Sequence, residues 1–210
     1  AKCGNNYAAS ATVSTNTSPS SPSSFSATTA SANQINLTWS DNSARETGYL
    51  IERSLDNSSW SALTTTAANA TSYNNSGLTD GTRYYYRIST VSGVGNSGIA
   101  SATATTTMLA PSSLTATMIS TSQIDLAWSD NSASETGYQV ERSTDGSTFS
   151  TLTTTAANVT SYSNTGLSLG VTYYYRIKAV NALTSSTYSG TASAVTAIVC
   201  GDTNNSCYNN

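Results

Sequence analysis

The amino-acid sequence predicts an all-β protein that is built from two copies of one β-sandwich. The first observation is an internal repeat, in which residues 22–95 recur at 111–184 with a constant offset of 89 and no insertion or deletion. A repeat of this length is a whole domain, because solenoid units span roughly 20–50 residues. The second observation is that short segments alternate apolar and polar residues, with clusters of Gly, Asn, Asp and Ser between them. This pattern is typical of short strands, and no helical period competes with it.

The repeat divides the chain of 210 residues into four parts. Residues 1–21 form a Ser/Thr-rich tail, residues 22–107 the first domain, residues 108–197 the second domain and residues 198–210 a second tail that contains cysteine. Each repeat is long enough to bury a core of its own.

The strands of the first repeat follow one another in chain order. The segments with the strand pattern are 35–39, Gly48–Ser54, Ser59–Thr65, Thr82–Val91 and Ser97–Thr106. In the first of them, Ile35, Leu37 and Trp39 share one face, since side chains alternate along a strand. Trp60 is predicted to anchor the third strand. About seven such strands per repeat suit a sandwich of two sheets.

The composition excludes several classes of function. Charged residues make up 9% of the chain, the net charge is −3 and histidine is absent. Without a basic run that could neutralise phosphates, we expect no nucleic-acid partner. No stretch reaches the roughly 20 apolar residues of a membrane span. Sparse charge together with abundant Ser, Thr and Asn favours a protein that is secreted and lies outside the cell or on its surface.

Both repeats carry a Trp at the end of an early strand and a Leu-x-x-Gly-x-x-Tyr motif later on. These residues are Trp39, Leu78, Gly81 and Tyr84 in the first copy and Trp128, Leu167, Gly170 and Tyr173 in the second. In these features the repeats resemble fibronectin type III domains of secreted bacterial proteins. The resemblance implies tandem immunoglobulin-like sandwiches whose cores hold the Trp, Leu and Tyr residues. It also implies a tyrosine corner, in which each motif Tyr bonds to the backbone of the preceding turn.

A repeated acidic turn is a candidate metal site. Asp41-Asn42-Ser43 is followed by Glu46, and the same residues recur at 130–132 and 135. Oxygen ligands suit calcium, but that cation needs six to eight of them. The alternative, which we favour, is that these side chains bond to turn amides. We therefore expect no metal.

The repeated carboxylates Glu52 and Glu141 are candidate catalytic acids, but we favour cross-strand ion pairs with Arg87 and Arg176. No histidine is available as a base, and the motifs Gly-x-Ser-x-Gly and Ser-x-x-Lys are absent. The sequence therefore predicts a protein that is not an enzyme and that has no cofactor.

The outward-facing Tyr85 and Tyr174 are candidates for binding at the surface, because aromatic faces stack on sugars. Surface glycans are thus one predicted partner. The alternative is that both are ordinary strand residues, since Tyr packs well on a half-buried sheet face.

All three cysteines lie in the tails, as Cys3, Cys200 and Cys207. Because their number is odd, at least one of them is free or bonded to another chain. Disulfides between the tails of successive chains would link copies head to tail, which generates a filament. The alternative is that the N-terminal tail folds back along the two domains and keeps its disulfide within one chain, since about twenty extended residues are long enough to reach. The N-terminal tail is also suited to adding a strand to a neighbour's sheet, with an ordinary linker as the equally weighted alternative. Copies of the same chain are therefore a predicted partner.

Three functions follow from the sequence. The first is a secreted structural subunit that assembles through its tails into a filament or surface layer. The second is an adhesin or a carbohydrate-binding accessory module. The third is a spacer from a larger secreted enzyme. The tails, their odd number of cysteines and the lack of catalytic motifs favour the first, with the other two as alternatives, whereas the repeats themselves carry nothing that separates the three.

Overall fold

A computed structural model describes residues 17–197, and every regular element in that range is a β-strand. The prediction of an all-β protein with two tandem sandwiches is confirmed. The strands are β1 (Ser23–Thr29), β2 (Gln34–Ser40), β3 (Gly48–Ser54), β4 (Ser61–Thr65), β5 (Ser72–Ser76), β6 (Arg83–Ser92), β7 (Gly95–Asn96), β8 (Ala100–Thr105), β9 (Ser112–Ser120), β10 (Gln123–Ser129), β11 (Gly137–Ser143), β12 (Ser150–Thr154), β13 (Ser161–Asn164), β14 (Thr172–Val180) and β15 (Ala192–Val195). The described residues include no helix that is long and apolar enough to cross a bilayer.

The first domain packs a three-stranded sheet against a larger one. The smaller sheet has the order β1-β2-β5, and in the larger sheet β3 lies between β4 and β6, with β7 and β8 also paired to β6. All of these pairs are antiparallel. Alternate residues of the inner strands face the space between the sheets and form the core. The fully buried core side chains of this domain include Ile35, Leu37, Tyr49, Ile51 and Tyr86.

The second domain repeats this plan. One sheet has the order β13-β10-β9 and the other β12-β11-β14-β15. Its core contains the counterparts of the first core, including Ile124, Leu126, Tyr138 and Tyr175, and it also takes in Met108 from the segment that joins the domains. The second core therefore reaches back to the junction with the first domain.

Two predicted strands are shorter than expected. The strand predicted over Ser59–Thr65 begins at Ser61, because the carboxylate of Asp56 accepts the backbone N–H groups of Ser58 and Ser59 and holds them in a turn. The strand predicted over Ser97–Thr106 covers Ala100–Thr105. Its first predicted residues lie outside any strand, and there the Ser97 hydroxyl donates to the carbonyl of Gly98.

Each domain contains a tyrosine hydroxyl that closes a turn. Tyr84 Oη accepts a hydrogen bond from the N–H of Thr79 at 2.9 Å, and Tyr173 Oη accepts one from Ser168 at 3.0 Å. The motif residues of both repeats are buried, namely Trp39, Leu78 and Tyr84 in the first domain and Trp128, Leu167 and Tyr173 in the second. The turn between the fifth and sixth strands is thereby fixed in position, which matters for the junction described below.

Candidate functional site

The two tyrosines predicted as surface-binding residues lie half-buried on the outer face of the larger sheet in each domain. Their cross-strand neighbours are Ser or Thr residues, so no aromatic residue stands directly opposite either of them in these strand pairs. Tyr174 also covers a loop, since a Cβ added at Gly146 would lie 3.5 Å from its ring. The structure thus places Tyr85 and Tyr174 as single rings on separate domains.

The carboxylate of Glu52 forms a cross-strand ion pair on the outer face of the first domain. Arg87 binds it with two hydrogen bonds, of 2.6 and 2.8 Å. These bonds from Arg87 hold the pKa of Glu52 below its ordinary value. The guanidinium of Arg87 also lies 4.6 Å from the ring centroid of Trp60.

The corresponding ion pair in the second domain has two aromatic rings against its arginine and a more buried glutamate. Arg176 donates to Glu141 at 2.8 Å and lies between two rings, with centroids 4.2 Å away for Phe149 and 3.9 Å away for Tyr188. Burial disfavours the charged form of Glu141, but hydrogen bonds from Tyr188 and Arg176 outweigh it and lower the pKa of this carboxyl. Because the charges of Glu141 and Arg176 are bound by each other and by neighbouring side chains, we interpret this cluster as one that stabilises the sheet.

The repeat in the sequence points to two of the three aromatic residues in these clusters. Trp60 and Phe149 are related by the repeat offset of 89, and both follow the same turn. Tyr188 lies beyond the segment that repeats without a gap, so no counterpart points to it. Sequence reasoning finds the ion pair and misses the rings that cover it.

The acidic turns bond to the backbone around them. Asp41 Oδ1 accepts from the N–H of Ser43 at 2.9 Å, and Asp130 Oδ1 accepts from the N–H of Ser132 at 3.0 Å and from the hydroxyl of Tyr138. Within residues 17–197 no group of three or more His, Cys, Asp or Glu side chains is placed to hold a metal ion. The carboxylates of these turns act as acceptors for their own loops.

The predicted disulfide residues Cys3, Cys200 and Cys207 lie outside the described range of 17–197. Their pairing stays a prediction.

The junction between the two domains is the most elaborate polar site that the structure describes. Asp80, in the turn before β6, is only 5% exposed. Its Oδ2 atom accepts from the N–H of Leu109 at 3.1 Å and from the hydroxyl of Ser132 at 2.7 Å, and its Oδ1 atom accepts from the N–H of Ala133 at 3.0 Å. A buried carboxylate is costly unless its lone pairs are satisfied, and here three donors from the linker and the second domain satisfy them.

Asn181 supplies a second polar link across the junction. Its Nδ2 atom donates to the carbonyl of Gly81 in the first domain at 3.0 Å and to the carbonyl of Ser134 in the second at 3.1 Å. Its Oδ1 atom accepts from the N–H groups of Leu183 and Thr184, which fixes the orientation of the amide. The link is therefore held from both sides of the side chain.

The domains also approach closely at Gly81, whose φ is +53°. A Cβ added there would lie 2.5 Å from Ser134 Oγ and 2.8 Å from Met108 Cε. Met108 is itself 5% exposed and packs in the core of the second domain. Glycine suits this backbone conformation, and a methyl group added here would have to displace the side-chain ends of Ser134 and Met108.

The junction breaks the symmetry of the repeat. The counterpart of Asp80 in the second domain, 89 residues later, is Leu169, which is 50% exposed. The counterpart of Asn181 in the first domain is Ser92. Both differences are visible when the two repeats are aligned. Their role in the junction depends on which loops face each other, and the sequence alone does not give this.

Comparison with known proteins agrees with this architecture. The family model described as fibronectin type III domain matches residues 20–107 and again 109–195. The chain is 31% identical over 204 residues to chitinase A1 of Niallia circulans, and the match covers 90% of this chain but only 27% of that protein. A two-domain fibronectin type III segment of chicken tenascin superposes with a TM-score of 0.75 at 18% identity, which covers 84% of this chain and 99% of that segment.

The tenascin likeness shows the fold alone, whereas the family model spans most of the chain in two successive matches. The resemblance that the Trp and Leu-x-x-Gly-x-x-Tyr residues carry is confirmed. The chain belongs to the fibronectin type III family, of which it contains two consecutive domains.

Proposed function

We propose that this chain is a non-enzymatic spacer of a secreted protein, which holds the parts on either side of it at a fixed separation and orientation. The observation that carries this proposal is the junction around Asp80. Domains within one chain move relative to each other by default, unless their contact is extensive or specific. Here specific polar contacts restrain them.

The segment between the domains is bound on both sides. Leu109 donates its N–H to Asp80, and Met108 is buried in the second core. The N–H of Gly81 in turn donates to the carbonyl of Thr107 at 3.1 Å. A hydrogen bond to a charged group contributes about 1.5–3 kcal/mol, so three bonds to one carboxylate are enough to favour one relative orientation.

The similarity to chitinase A1 supports the larger setting. Because this chain spans 27% of the length of that protein, we infer that two such domains serve as one part of a longer secreted enzyme that degrades a polysaccharide. The extracellular location is part of the same proposal. This function is the third of those predicted from the sequence.

The other two predicted functions have less support. Self-assembly into a filament depends on tails that lie outside the described residues, and glycan binding depends on two tyrosines that stand apart on separate domains. Both stay predictions, and the experiments below can distinguish them.

The spacer function is tested by residual dipolar couplings measured on the 210-residue chain. We expect both domains to share one alignment tensor. The variant Asp80→Leu, which places the residue of the second repeat at this position, should give two different tensors. The matched control Leu169→Asp alters the equivalent turn of the second domain and should leave the tensors alike.

Different tensors in the unaltered chain would contradict a rigid spacer.

A pull-down on chitin beads distinguishes the spacer from the carbohydrate-binding alternative, because a spacer should not be retained. Retention that is lost when Tyr85 and Tyr174 are changed to Ala would favour that alternative instead.

A further inference from the structure

We propose that the end of the first domain that carries Asn42–Arg45 is a docking site for the aspartate carboxylate of a preceding fibronectin type III domain. The inference rests on the proposed spacer function and names the partner on one side of the spacer. It follows from the repeat, because this loop is the counterpart of the loop in the second domain that receives Asp80.

The three groups that bind Asp80 have equivalents in the first domain. In the junction the donors are the Leu109 N–H, the Ser132 hydroxyl and the Ala133 N–H. Subtracting the offset of 89 gives the Ser20 N–H, the Ser43 hydroxyl and the Ala44 N–H. Every position in the first domain therefore keeps the donor that binding a carboxylate requires.

The two loops are also held in the same conformation. Asn42 Nδ2 donates to the carbonyl of Ser21 at 3.0 Å, and its counterpart Asn131 donates to Ala110 at 2.8 Å. Ser43 Oγ accepts from the N–H of the residue two positions later, as Ser132 Oγ does. The hydroxyl hydrogen of each serine is thereby left for a third partner, which in the second domain is Asp80.

Within residues 17–197 no acceptor takes the Ser43 hydroxyl hydrogen or the N–H groups of Ser20 and Ala44. All three residues line one open groove of about 500 Å³ at this end of the domain. Arg45, at the position of Ser134, lies on the rim of the same groove and adds a positive charge. Donors and charge together suit an anionic group, and the junction shows that a carboxylate fits this arrangement of donors.

The partner of this site can be identified by asking which candidate has a carboxylate to offer. Residues 1–16 contain no Asp or Glu, so the chain's own N-terminal segment cannot supply one from a side chain. A second copy that docked in the manner of the junction would present Leu169, which cannot accept a hydrogen bond. A preceding domain with an Asp-Gly turn like that of Asp80 and Gly81 supplies the carboxylate that these two candidates lack.

The sequence before the first domain agrees with such a partner. Residues 9–15 read ASATVST and residues 100–106 read ASATATT, and the latter include β8, the last strand of the first domain. The first segment begins 13 residues before Pro22 (22 − 9) and the second 11 residues before Pro111 (111 − 100). A segment of similar sequence, placed two residues further from the following proline, is what a preceding like domain would contribute.

The test uses amide hydrogen exchange, read by NMR, in the 210-residue chain and in an extended chain in which residues 1–105 are followed by residues 17–210. The extension adds a like domain with its own Asp80 one repeat before the first domain. In the 210-residue chain we expect the Leu109 and Ala133 amides to be protected and the Ser20 and Ala44 amides to exchange freely. In the extended chain the Ser20 and Ala44 amides that follow the added domain should gain protection of about tenfold or more, since bonds to charged groups are strong.

The matched control is Asp80→Leu in the added domain only, which should abolish this gain. Equal exchange of Ser20 and Ala44 with and without that substitution overturns the proposal, whereas fast exchange of Leu109 and Ala133 would instead contradict the spacer function. Protection of Ala44 in the 210-residue chain also overturns it. If that protection grows with protein concentration, a second copy is the occupant, and if it does not, another part of the same chain is.

Discussion

Gly81 lies where the two domains come close together. Gly81→Ala and Gly170→Ala form a matched pair, because both glycines occupy the left-handed region, with φ of +53° and +77°. Each substitution should cost about 1–2 kcal/mol for the backbone conformation. Only at Gly81 does the new methyl group meet Ser134 and Met108, whereas nothing lies within 4 Å at Gly170. We expect Gly81→Ala to lose about 1–3 kcal/mol more of the free energy of unfolding, the usual cost of overpacking.

Urea denaturation followed by tryptophan fluorescence measures this difference. Dipolar couplings on the same two variants should show that only Gly81→Ala disturbs the relative orientation of the domains. Equal losses of stability in the two variants, with unchanged orientation, would mean that the close approach at Gly81 contributes nothing.

At the scale of single residues, the sequence predicts which side chains are buried in a core but does not predict which ones join the two domains. Burial of Trp39 and Tyr84 follows from alternation and from a family motif, both of which are local signals. Asp80 carries no such signal: one acidic residue in a polar turn looks like a solvated charge, and its three donors come from positions 109, 132 and 133. Contacts between domains depend on how two folded units pack together. The residues that form them lie in loops that are distant in the sequence, so no local pattern identifies them.

At the scale of strands, periodicity predicts most of what the structure contains. The strand Gly48–Ser54 has the predicted bounds, because its alternation runs without interruption from a glycine to a serine turn. The predicted start at Ser59 is wrong because Asp56 uses the local amides for a turn. Side-chain bonds to the backbone compete with strand pairing at strand ends, so ends are harder to predict than the strands themselves.

The cross-strand ion pairs make stability depend on acid pH. The pKa values of Glu52 and Glu141 are lowered in the folded protein, so their ionised forms stabilise the fold above about pH 4.5, the ordinary carboxyl range. This contribution is lost as the pH falls from about 4.5 through the folded-state pKa values. We therefore expect the free energy of unfolding to decrease between pH 5 and pH 3.

The double variant Glu52→Gln, Glu141→Gln checks the assignment, because glutamine keeps the size of the side chain but does not titrate. Its free energy of unfolding should change less across the same pH range. Some dependence should remain, since turn hydrogen bonds also lower the pKa of Asp56 and Asp145. Parallel pH curves for the variant and the unaltered chain would show that the ion pairs are not the source.

For the whole molecule, the contrast between its two ends decides how copies could associate. The first domain keeps at one end the counterparts of the donors that bind Asp80, but the second domain presents Leu169 where the first presents Asp80. Successive copies therefore cannot repeat the internal junction between them. Any assembly of this chain has to depend on other contacts, of which the predicted tail disulfides are the most specific.

Three cysteines cannot all pair within one chain. Under oxidising conditions we expect a fraction of the purified protein to run as a covalent dimer on a non-reducing gel, and a reductant should convert it to monomer. Light scattering on the reduced protein should give the monomer mass, because the internal junction has no counterpart between copies. A variant with Cys3, Cys200 and Cys207 all changed to Ser should stay monomeric without reductant. Oligomers that persist in this variant would show that copies associate through the domains themselves.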